Sequence, residues 1–481
     1  MRFLHDPSNY DLTYSDVFFV PNYSDVSSRF DVDLTTTDGL GTSIPLIVSN
    51  MNAVAGSRMS ETVARRGGLT VLPQDIPHDI LGKMITYIKS RHTVYETPLT
   101  MTSTNTINEA LGIIHKRAHQ AVIIVNQKNE PIGIFTQDDA AGHDLFTQLG
   151  RVMRTELITV TAGQSPKRLF EKLHKERVQV APVIENKKMI GVISQKGALR
   201  TSVYSPAVDK KGRLLVAVAI GISGDVKSKT ESAIRAGADI LVLDTAHGHQ
   251  KKMIEAIKKA RKVAGGRPIV AGNVVTAEAT KDLLKAGADI IKVGVGPGAM
   301  CTTRMMTGVG RPQFSAILEC APIAKAQGKH IWADGGIRYP RDVALALAGG
   351  ASSVMFGSWW AGTYESAGDV LRDHDGRLYK EHYGMASRRA VRNRTSSGEV
   401  FEQARRELFE EGISNGRLYL NSERPSAEDI IDYIVAGVRS SMTYAGARNI
   451  SEFQEKAIVG IQSSAGYQEG QAVETNWDSS S

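Results

Sequence analysis

The chain has few cysteines and no long apolar run. Only Cys301 and Cys320 occur among its 481 residues, which excludes a disulfide framework and a Cys-x-x-Cys metal site. No apolar stretch approaches the about 18 residues of a membrane span. Residues 1–6 lack the apolar core of a signal peptide. These absences predict a cytoplasmic protein without a membrane partner.

The chain also lacks a concentrated basic segment, although its formal net charge is +7. Lysine and arginine are spread along the sequence and are densest at residues 388–406, without the aromatic residues of a nucleic-acid surface. We therefore expect no nucleic-acid partner, and a small phosphorylated ligand fits the modest positive excess better. The composition, 42% hydrophobic and 23% charged, is that of a globular protein, and the length predicts two domains.

Short apolar runs alternate with helical patterns along most of the chain. Three of the helices end in similar sequences, at residues 236–239, 286–289 and 348–351, where glycine stops a helix before a buried strand. Eight such units predict an α/β fold, a (β/α)8 TIM barrel. A doubly wound open sheet is the alternative, but no Gly-x-Gly-x-x-Gly follows the first strand. The predicted strands are 44–50, 69–72, 215–219, 240–244, 269–273, 290–293, 331–334 and 353–356.

A half-similar pair of segments, 122–140 and 180–198, interrupts this pattern. Each reads as strand, polar turn, strand and helix start, and each follows a predicted helix, at 107–116 and 166–177. An internal duplication indicates two copies of one unit packed together. We therefore divide the chain into a barrel, 1–92 and 204–481, and an insert, 93–203, with copies at 93–148 and 149–203.

The insert resembles a tandem CBS pair (a Bateman domain), a module that commonly binds adenine or guanine nucleotides between its copies. In that family a threonine or serine and an aspartate three residues later contact ribose and phosphate. Thr136 and Asp139 match this pattern, whereas the second copy has Ser194 but Gly197. The resemblance implies regulatory ATP or GTP at the first copy. The alternative is a structural or oligomerising insert without a ligand.

A glycine-rich loop, residues 294–298, follows the predicted strand 290–293 and delivers Cys301. Glycine permits positive φ and close approach to a ligand, and surrounding backbone N–H groups favour a thiolate. The loop is either a site for a reactive cysteine or a tight turn with an ordinary thiol. Polar and glycine residues also collect at the other strand ends, where barrels place function: 49–52, 244–247, 272–273, 334–336 and 357–358. The last two follow strands seven and eight, the usual phosphate position.

Several motifs resemble the IMP dehydrogenase/GMP reductase family over nearly the whole chain. They are residues 294–304, 333–338, 356–358, 383–385 and 437–444. The resemblance implies a covalent step in which the cysteine adds to C2 of a purine nucleotide. Dehydrogenases then oxidise IMP with NAD and hydrolyse the thioimidate to XMP, while reductases expel ammonia from GMP and deliver a hydride from NADPH.

Three features favour the reductase. No tyrosine lies between Met385 and Glu411, and Leu418 separates Arg417 from Tyr419, so the adjacent Arg-Tyr pair of dehydrogenases is missing. Residues 307–308 are Thr-Gly, as in reductases, and residues 50–51 are Asn-Met. The insert points the other way, since most reductases lack it. The resemblance implies NADPH-dependent conversion of GMP to IMP and ammonia; the alternatives are an IMP dehydrogenase and a catalytically weak nucleotide sensor.

The resemblance also implies roles for individual residues. Cys301 is the nucleophile, and Thr303 and Glu411 assist proton transfer to the departing amine. The dinucleotide contacts are Asp244, Thr245, Ala246, Gly294, Val295 and Gly296. The substrate contacts are Ala299, Asp334, Gly335, Gly336, Gly357, Ser358, Tyr383, Gly384 and Met385. Carbonyls of Gly296, Gly298 and Cys301 would bind a monovalent cation, K⁺, since hard cations prefer oxygen.

The sequence departs from the family at two positions: Ala299 stands where serine is usual, and Asn52 stands where aspartate is usual. Both put substrate orientation in doubt. By analogy with the family, we expect a homotetramer or, through the insert, a homo-octamer.

Overall fold

Eight parallel strands close into a barrel in the computed structural model, which describes residues 1–4, 10–299, 301–383, 401, 415–421 and 423–471. The described strands are β1 (Arg2–Phe3), β2 (Val17–Val20), β3 (Leu46–Val48), β4 (Leu69–Leu72), β5 (Leu99–Met101), β6 (Ala121–Val125), β7 (Pro131–Thr136), β8 (Val160–Thr161), β9 (Val180–Glu185), β10 (Lys188–Ser194), β11 (Ala217–Gly221), β12 (Ile240–Asp244), β13 (Ile269–Val274), β14 (Ile290–Val293), β15 (His330–Asp334), β16 (Ser353–Phe356), β17 (Leu371–Arg372), β18 (Leu378–Tyr383), β19 (Asn415–Tyr419) and β20 (Ile458–Ile461). The barrel order is β11-β12-β13-β14-β15-β16-β3-β4, and β4 pairs with β11 to close it. The (β/α)8 prediction is confirmed.

Helices surround the barrel and connect its strands. The described α-helices are α1 (Ser57–Arg65), α2 (His78–Lys89), α3 (Ile107–Ile114), α4 (Pro166–Lys175), α5 (Gln195–Val203), α6 (Val226–Ala236), α7 (Lys251–Val263), α8 (Ala277–Ala286), α9 (Thr303–Thr307), α10 (Gln313–Lys325), α11 (Pro340–Ala348), α12 (Ser358–Ala361), α13 (Ala427–Tyr444), α14 (Ile450–Lys456) and α15 (Ser464–Glu469). Gly237 and Gly287 end α6 and α8 with φ of +101° and +116°. These left-handed residues turn the chain into the next buried strand, as the sequence predicts.

Side chains from alternate strand positions fill the interior of the barrel. Val71, Val242, Val270 and Trp332 are fully buried there. Because the interior is packed with apolar side chains, the barrel has no pore for a ligand, and a site can form only at its ends.

The insert contributes two three-stranded sheets, β5-β6-β7 and β10-β9-β8. In each sheet a short strand pairs in parallel with the first arm of an antiparallel hairpin. This matches the duplicated sequence pattern, while the assignment as a CBS pair stays a prediction. The two preceding helices end at Ile114 and Lys175, two residues earlier than predicted in each case. No helix in the described parts of the chain is long and apolar enough for a bilayer.

Candidate active site

A buried lysine connects the carboxyl ends of two barrel strands. Lys292, in β14, is 3% exposed, and its Nζ lies 2.8 Å from Asp244 Oδ1 and 2.5 Å from Asp334 Oδ2. Burial alone would lower the pKa of Lys292, but the two carboxylates outweigh burial and raise it well above its ordinary value. The lysine therefore stays charged and fixes both aspartates in position.

Amide side chains complete this network from two further strand ends. Asn50 Nδ2 donates to Asp244 Oδ2 at 2.9 Å, and Asn273 Nδ2 donates to Asp334 Oδ2 at 3.0 Å. Asn273 Oδ1 is buried without a partner among the described atoms. An unpaired buried acceptor at a strand end is typical of a site that a ligand completes.

The glycine loop after β14 runs close to the end of β15. Gly294 has φ of +147°, and a Cβ there would collide with the carbonyl oxygen of Asp334. Gln313 Nε2 donates to the carbonyl of Val293 at 2.8 Å, which holds the loop from the side of α10. Only glycine allows this approach, so the loop is placed by backbone sterics as well as by hydrogen bonds.

The loop presents Cys301 to solvent beside a hydroxyl group. The Cys301 thiol donates to Thr303 Oγ1 at 3.2 Å, and the Cys301 N–H donates to the carbonyl of Gly298 at 2.9 Å. Cys320, in contrast, is buried in α10, and burial raises its pKa to about 11. Of the two cysteines, only Cys301 is accessible for nucleophilic chemistry.

The predicted phosphate loops follow β15 and β16. The N–H of Gly335 donates to the carbonyl of Met355 at 2.9 Å, so this N–H is already engaged, and Gly335 stays a predicted substrate contact. The N–H groups of Gly336, Gly357 and Ser358 donate to no acceptor in the described part of the chain. A Cβ at Gly357 would lie 2.6 Å from Met51 Sδ, which explains glycine there.

The departure at Asn52 has a partner that the sequence did not reveal. Asn52 Nδ2 donates to Asp75 Oδ2 at 2.6 Å, and Asn52 Oδ1 and Asp75 Oδ1 are both buried without a described partner. An aspartate at position 52 would face Asp75 as a like charge. The pair keeps one negative charge at the ends of β3 and β4, supplied by Asp75.

Some predicted residues lie outside the described part of the chain. Glu411, Gly384 and Met385 fall there, and Tyr383 is described only as the last residue of β18. Arg417 and Tyr419 are on β19. The guanidinium of Arg417 lies 4.9 Å from the ring centre of Tyr379.

The two copies of the insert differ at the positions predicted to bind nucleotide. In the first copy, Asp139 Oδ2 accepts hydrogen bonds from Thr136 N and Oγ1 at 2.7 and 2.8 Å. In the second copy, Glu96 Oε1 accepts from Ser194 Oγ at 2.7 Å, and a Cβ at Gly197 would collide with that oxygen. The missing carboxylate of the second copy is thus replaced by Glu96, a residue that the sequence analysis did not single out.

Comparisons with known proteins show to which family the chain is similar. A family model described as the IMP dehydrogenase / GMP reductase domain matches residues 11–473. The chain is 54% identical to a GMP reductase of Mycobacterium tuberculosis strain H37Rv, covering 99% of this chain and 100% of that protein. It is 35% identical to an inosine-5'-monophosphate dehydrogenase of Nitrosopumilus maritimus, covering 96% and 97%. The structure matches a GMP reductase variant from Trypanosoma brucei in complex with guanosine 5'-monophosphate, at TM-score 0.69, 30% identity and coverage of 98% and 99%.

Proposed function

The chain belongs to the IMP dehydrogenase/GMP reductase family, and we propose that it catalyses the NADPH-dependent reductive deamination of GMP to IMP and ammonia. The observation that carries the proposal is the exposed Cys301 thiol, 3.2 Å from the Thr303 hydroxyl, at the end of the glycine loop. The similarity to GMP reductases over the full chain supports the same reaction. Arg417 and Tyr419, engaged elsewhere on β19, argue against the hydrolysis step of dehydrogenases.

Cys301 acts as the nucleophile. Its sulfur bonds to C2 of the purine, and the bond from C2 to the amino group breaks as that group leaves as ammonia. Thr303, within hydrogen-bond distance of the sulfur, relays a proton toward the leaving amine together with Glu411. NADPH, when bound, would supply a hydride to C2, and Cys301 would leave C2 as the thiolate.

The nucleotide lies across the ends of β15 and β16. The N–H groups of Gly336, Gly357 and Ser358, which donate to no acceptor among the described residues, hold the phosphate, and Gly335 and Ala299 lie beside them as further substrate contacts. Asp334, fixed by Lys292, accepts from the ribose hydroxyls. Tyr383, Gly384 and Met385 are further contacts of the nucleotide substrate, as the family resemblance implies.

The dinucleotide lies on the side of β12. Asp244 ends that strand, Thr245 and Ala246 follow it, and the backbone from Gly294 to Gly296 contributes from the end of β14. Lys292 holds Asp244 in place from inside the barrel, so one buried cation organises the contacts of both substrates.

The carbonyls of Gly296, Gly298 and Cys301 would hold a monovalent cation, K⁺, which would fix the cysteine loop in position. The carbonyls of Gly296 and Cys301 accept no hydrogen bond from the described residues, so their lone pairs are available. Oxygen donors suit a hard cation. The residues present therefore fit the ion.

The insert regulates the enzyme by binding ATP or GTP at its first copy, through Thr136 and Asp139. The second copy differs in that its carboxylate comes from Glu96 rather than from position 197. The assembly is a homotetramer or a homo-octamer. Turnover measured with added ATP or GTP should change in the wild-type protein and stay constant in Asp139→Ala.

The deciding experiment follows absorbance at 340 nm. We expect loss of NADPH absorbance with GMP, and no gain of NADH absorbance with IMP and NAD. The reverse pattern would establish the dehydrogenase instead. Cys301→Ala should abolish turnover, whereas Cys320→Ala, at the buried cysteine, should retain it. Turnover by Cys301→Ala would refute the covalent mechanism.

A further inference from the structure

Lys380, in β18, is buried without a counter-ion in the described part of the chain. It is 1% exposed, and its Nζ donates only to the backbone carbonyls of Tyr364 and Ser366, at 3.2 and 3.1 Å. Burial, and then the positive charge of Arg58, lower its pKa to about 7. Burying a charged lysine costs free energy. The two hydrogen bonds hold β18 against residues 364–366.

The two segments that Lys380 connects both lead to the substrate pocket. Residues 364–366 follow α12, which begins at the predicted phosphate contact Ser358. Strand β18 ends at Tyr383, the first of the predicted substrate contacts 383–385. Lys380 therefore connects the segment that follows the predicted phosphate contact Ser358 to the strand that leads to Tyr383.

The insert also contacts Tyr364, one of the residues to which Lys380 donates. Gln120, in the turn between α3 and β6, donates through Nε2 to the hydroxyl of Tyr364 at 2.7 Å. Arg117, in the same turn, is 7% exposed and forms a 2.5 Å ion pair with Glu61 of α1. This ion pair holds the turn between α3 and β6 against α1 of the barrel, which fixes the position of Gln120 relative to Tyr364.

We propose that Lys380 is a positioning residue for the nucleotide substrate and that the insert reaches it through the contact between Gln120 and Tyr364. The proposal rests on the proposed assignment of the nucleotide-binding residues. The predicted dinucleotide contacts lie at the ends of β12 and β14, whereas Lys380 lies on β18 and donates to the carbonyls of Tyr364 and Ser366. A positioning role therefore affects GMP and leaves NADPH binding unchanged, whereas a general structural role affects both.

The first test is Lys380→Met, compared with Lys128→Met at an exposed lysine of the insert. We expect the KM for GMP to rise about tenfold, as the loss of one to two hydrogen bonds implies. The KM for NADPH should stay constant and kcat should change less than about twofold. Lys128→Met should match the wild type. An unchanged KM for GMP, or equal increases for both substrates, would overturn the proposal.

The second test removes the hydrogen bond between Gln120 and Tyr364. Gln120→Leu and Tyr364→Phe each remove one partner of the same hydrogen bond, and we expect each to raise the KM for GMP about threefold. Because they share one contact, the double variant should be no worse than either single variant. Gln127→Leu, at an exposed glutamine of the same copy, is the control. Additive effects, or a wild-type KM in Gln120→Leu, would contradict the link to the insert. If Lys380→Met fails to fold, the comparison of Gln120→Leu, Tyr364→Phe and the double variant tests the proposal.

The outcomes also separate this proposal from the assignment of the site. If Cys301→Ala still converts GMP, the site assignment itself fails. If Cys301→Ala is inactive while the Gln120 and Lys380 variants keep the wild-type KM for GMP, only the positioning proposal fails.

Discussion

At the scale of single residues, Lys292 is the most consequential side chain that the covalent mechanism does not use. Lys292→Met would leave Asp244 and Asp334 close together without a counter-charge. We expect a loss of about 3–5 kcal/mol in the free energy of unfolding, the usual result of breaking a buried pair. The kcat/KM for both GMP and NADPH should fall at least about a hundredfold, since the proposed site uses Asp334 for GMP and Asp244 for NADPH. Calorimetry and steady-state kinetics measure the two effects.

Lys329→Met is the matched control for that substitution. Lys329 also pairs with an aspartate, Asp289, at 2.7 Å, but both side chains are about one third exposed, at 38% and 31%. Water screens this pair, so its loss should cost at most about 1 kcal/mol and leave kinetics unchanged. Similar effects of the two substitutions would show that Lys292 has no special role.

Glu365 should make stability depend on pH. Its Oε2 accepts from the N–H of Ala427 at 2.8 Å, and burial, together with Glu428, raises its pKa from 4.5 to about 7. The unfolded chain releases this proton near pH 4.5 while the folded chain holds it to about pH 7. The contribution of Glu365 to stability therefore falls as pH rises between these values.

Glu365→Gln keeps an acceptor for Ala427 and removes the charge. We expect its melting temperature to rise relative to that of the wild type as pH increases from 5 to 8, with most of the gain below pH 7.5. Scanning calorimetry at several pH values measures this difference. A difference that is the same at pH 5 and pH 8 would contradict the assigned titration.

At the scale of elements, the barrel strands were predictable because each is buried on both faces. The predicted limits of 69–72, 240–244, 290–293 and 353–356 are those observed. The strand predicted at 44–50 is only Leu46–Val48, because strand pairing stops where the chain turns at the barrel ends. A continuous apolar run shows that a strand is buried, but only its pairing sets where it ends.

The candidate site was predictable in part. Cys301 and the glycine loop follow one another in sequence, so their pattern was visible. The pairs that position them join distant residues, such as Gln313 to Val293 and Lys292 to Asp244. One signal existed: a lysine inside the apolar run 290–293 requires a buried counter-charge. The sequence alone could not show that Asp244 and Asp334 supply this charge, because they lie on other strands and approach Lys292 only in the closed barrel.

Strand β19 carries Arg417 and Tyr419, and a substitution there tests whether this tyrosine takes the place of the Arg-Tyr pair of dehydrogenases. Tyr379 and Tyr419 lie opposite each other on β18 and β19, with ring centres 5.9 Å apart, and Arg417 and Arg377 each stack on one ring. We expect Tyr419→Phe to retain GMP turnover within about threefold, because the stacking remains. Product chromatography of this variant and the wild type should show no XMP from IMP and NAD. XMP formed by the wild type and lost in Tyr419→Phe would show that this tyrosine activates water.

At the scale of the whole molecule, the insert is joined to the barrel by buried charges. Arg200, 7% exposed in its side chain, pairs with Glu428 at 3.1 Å and with Asp429 at 2.5 Å, and Arg117 pairs with Glu61. Buried ion pairs of this kind contribute little to the free energy of unfolding when intact, but removing one partner is strongly destabilising. The barrel and the insert should therefore be coupled in stability, although every predicted catalytic residue belongs to the barrel.

Removal of residues 93–203 tests this coupling. The truncated protein should still reduce GMP through Cys301, but it should melt at a lower temperature because Glu61 and Glu428 lose Arg117 and Arg200. Glu61→Gln sharpens the test. In the full chain it leaves Arg117 buried without its partner and should cost about 3 kcal/mol, whereas in the truncated chain it should cost less than about half as much. Calorimetry of the four proteins gives the comparison. Equal costs in both backgrounds, or a truncated protein as stable as the full chain, would show that the joint contributes nothing to the barrel.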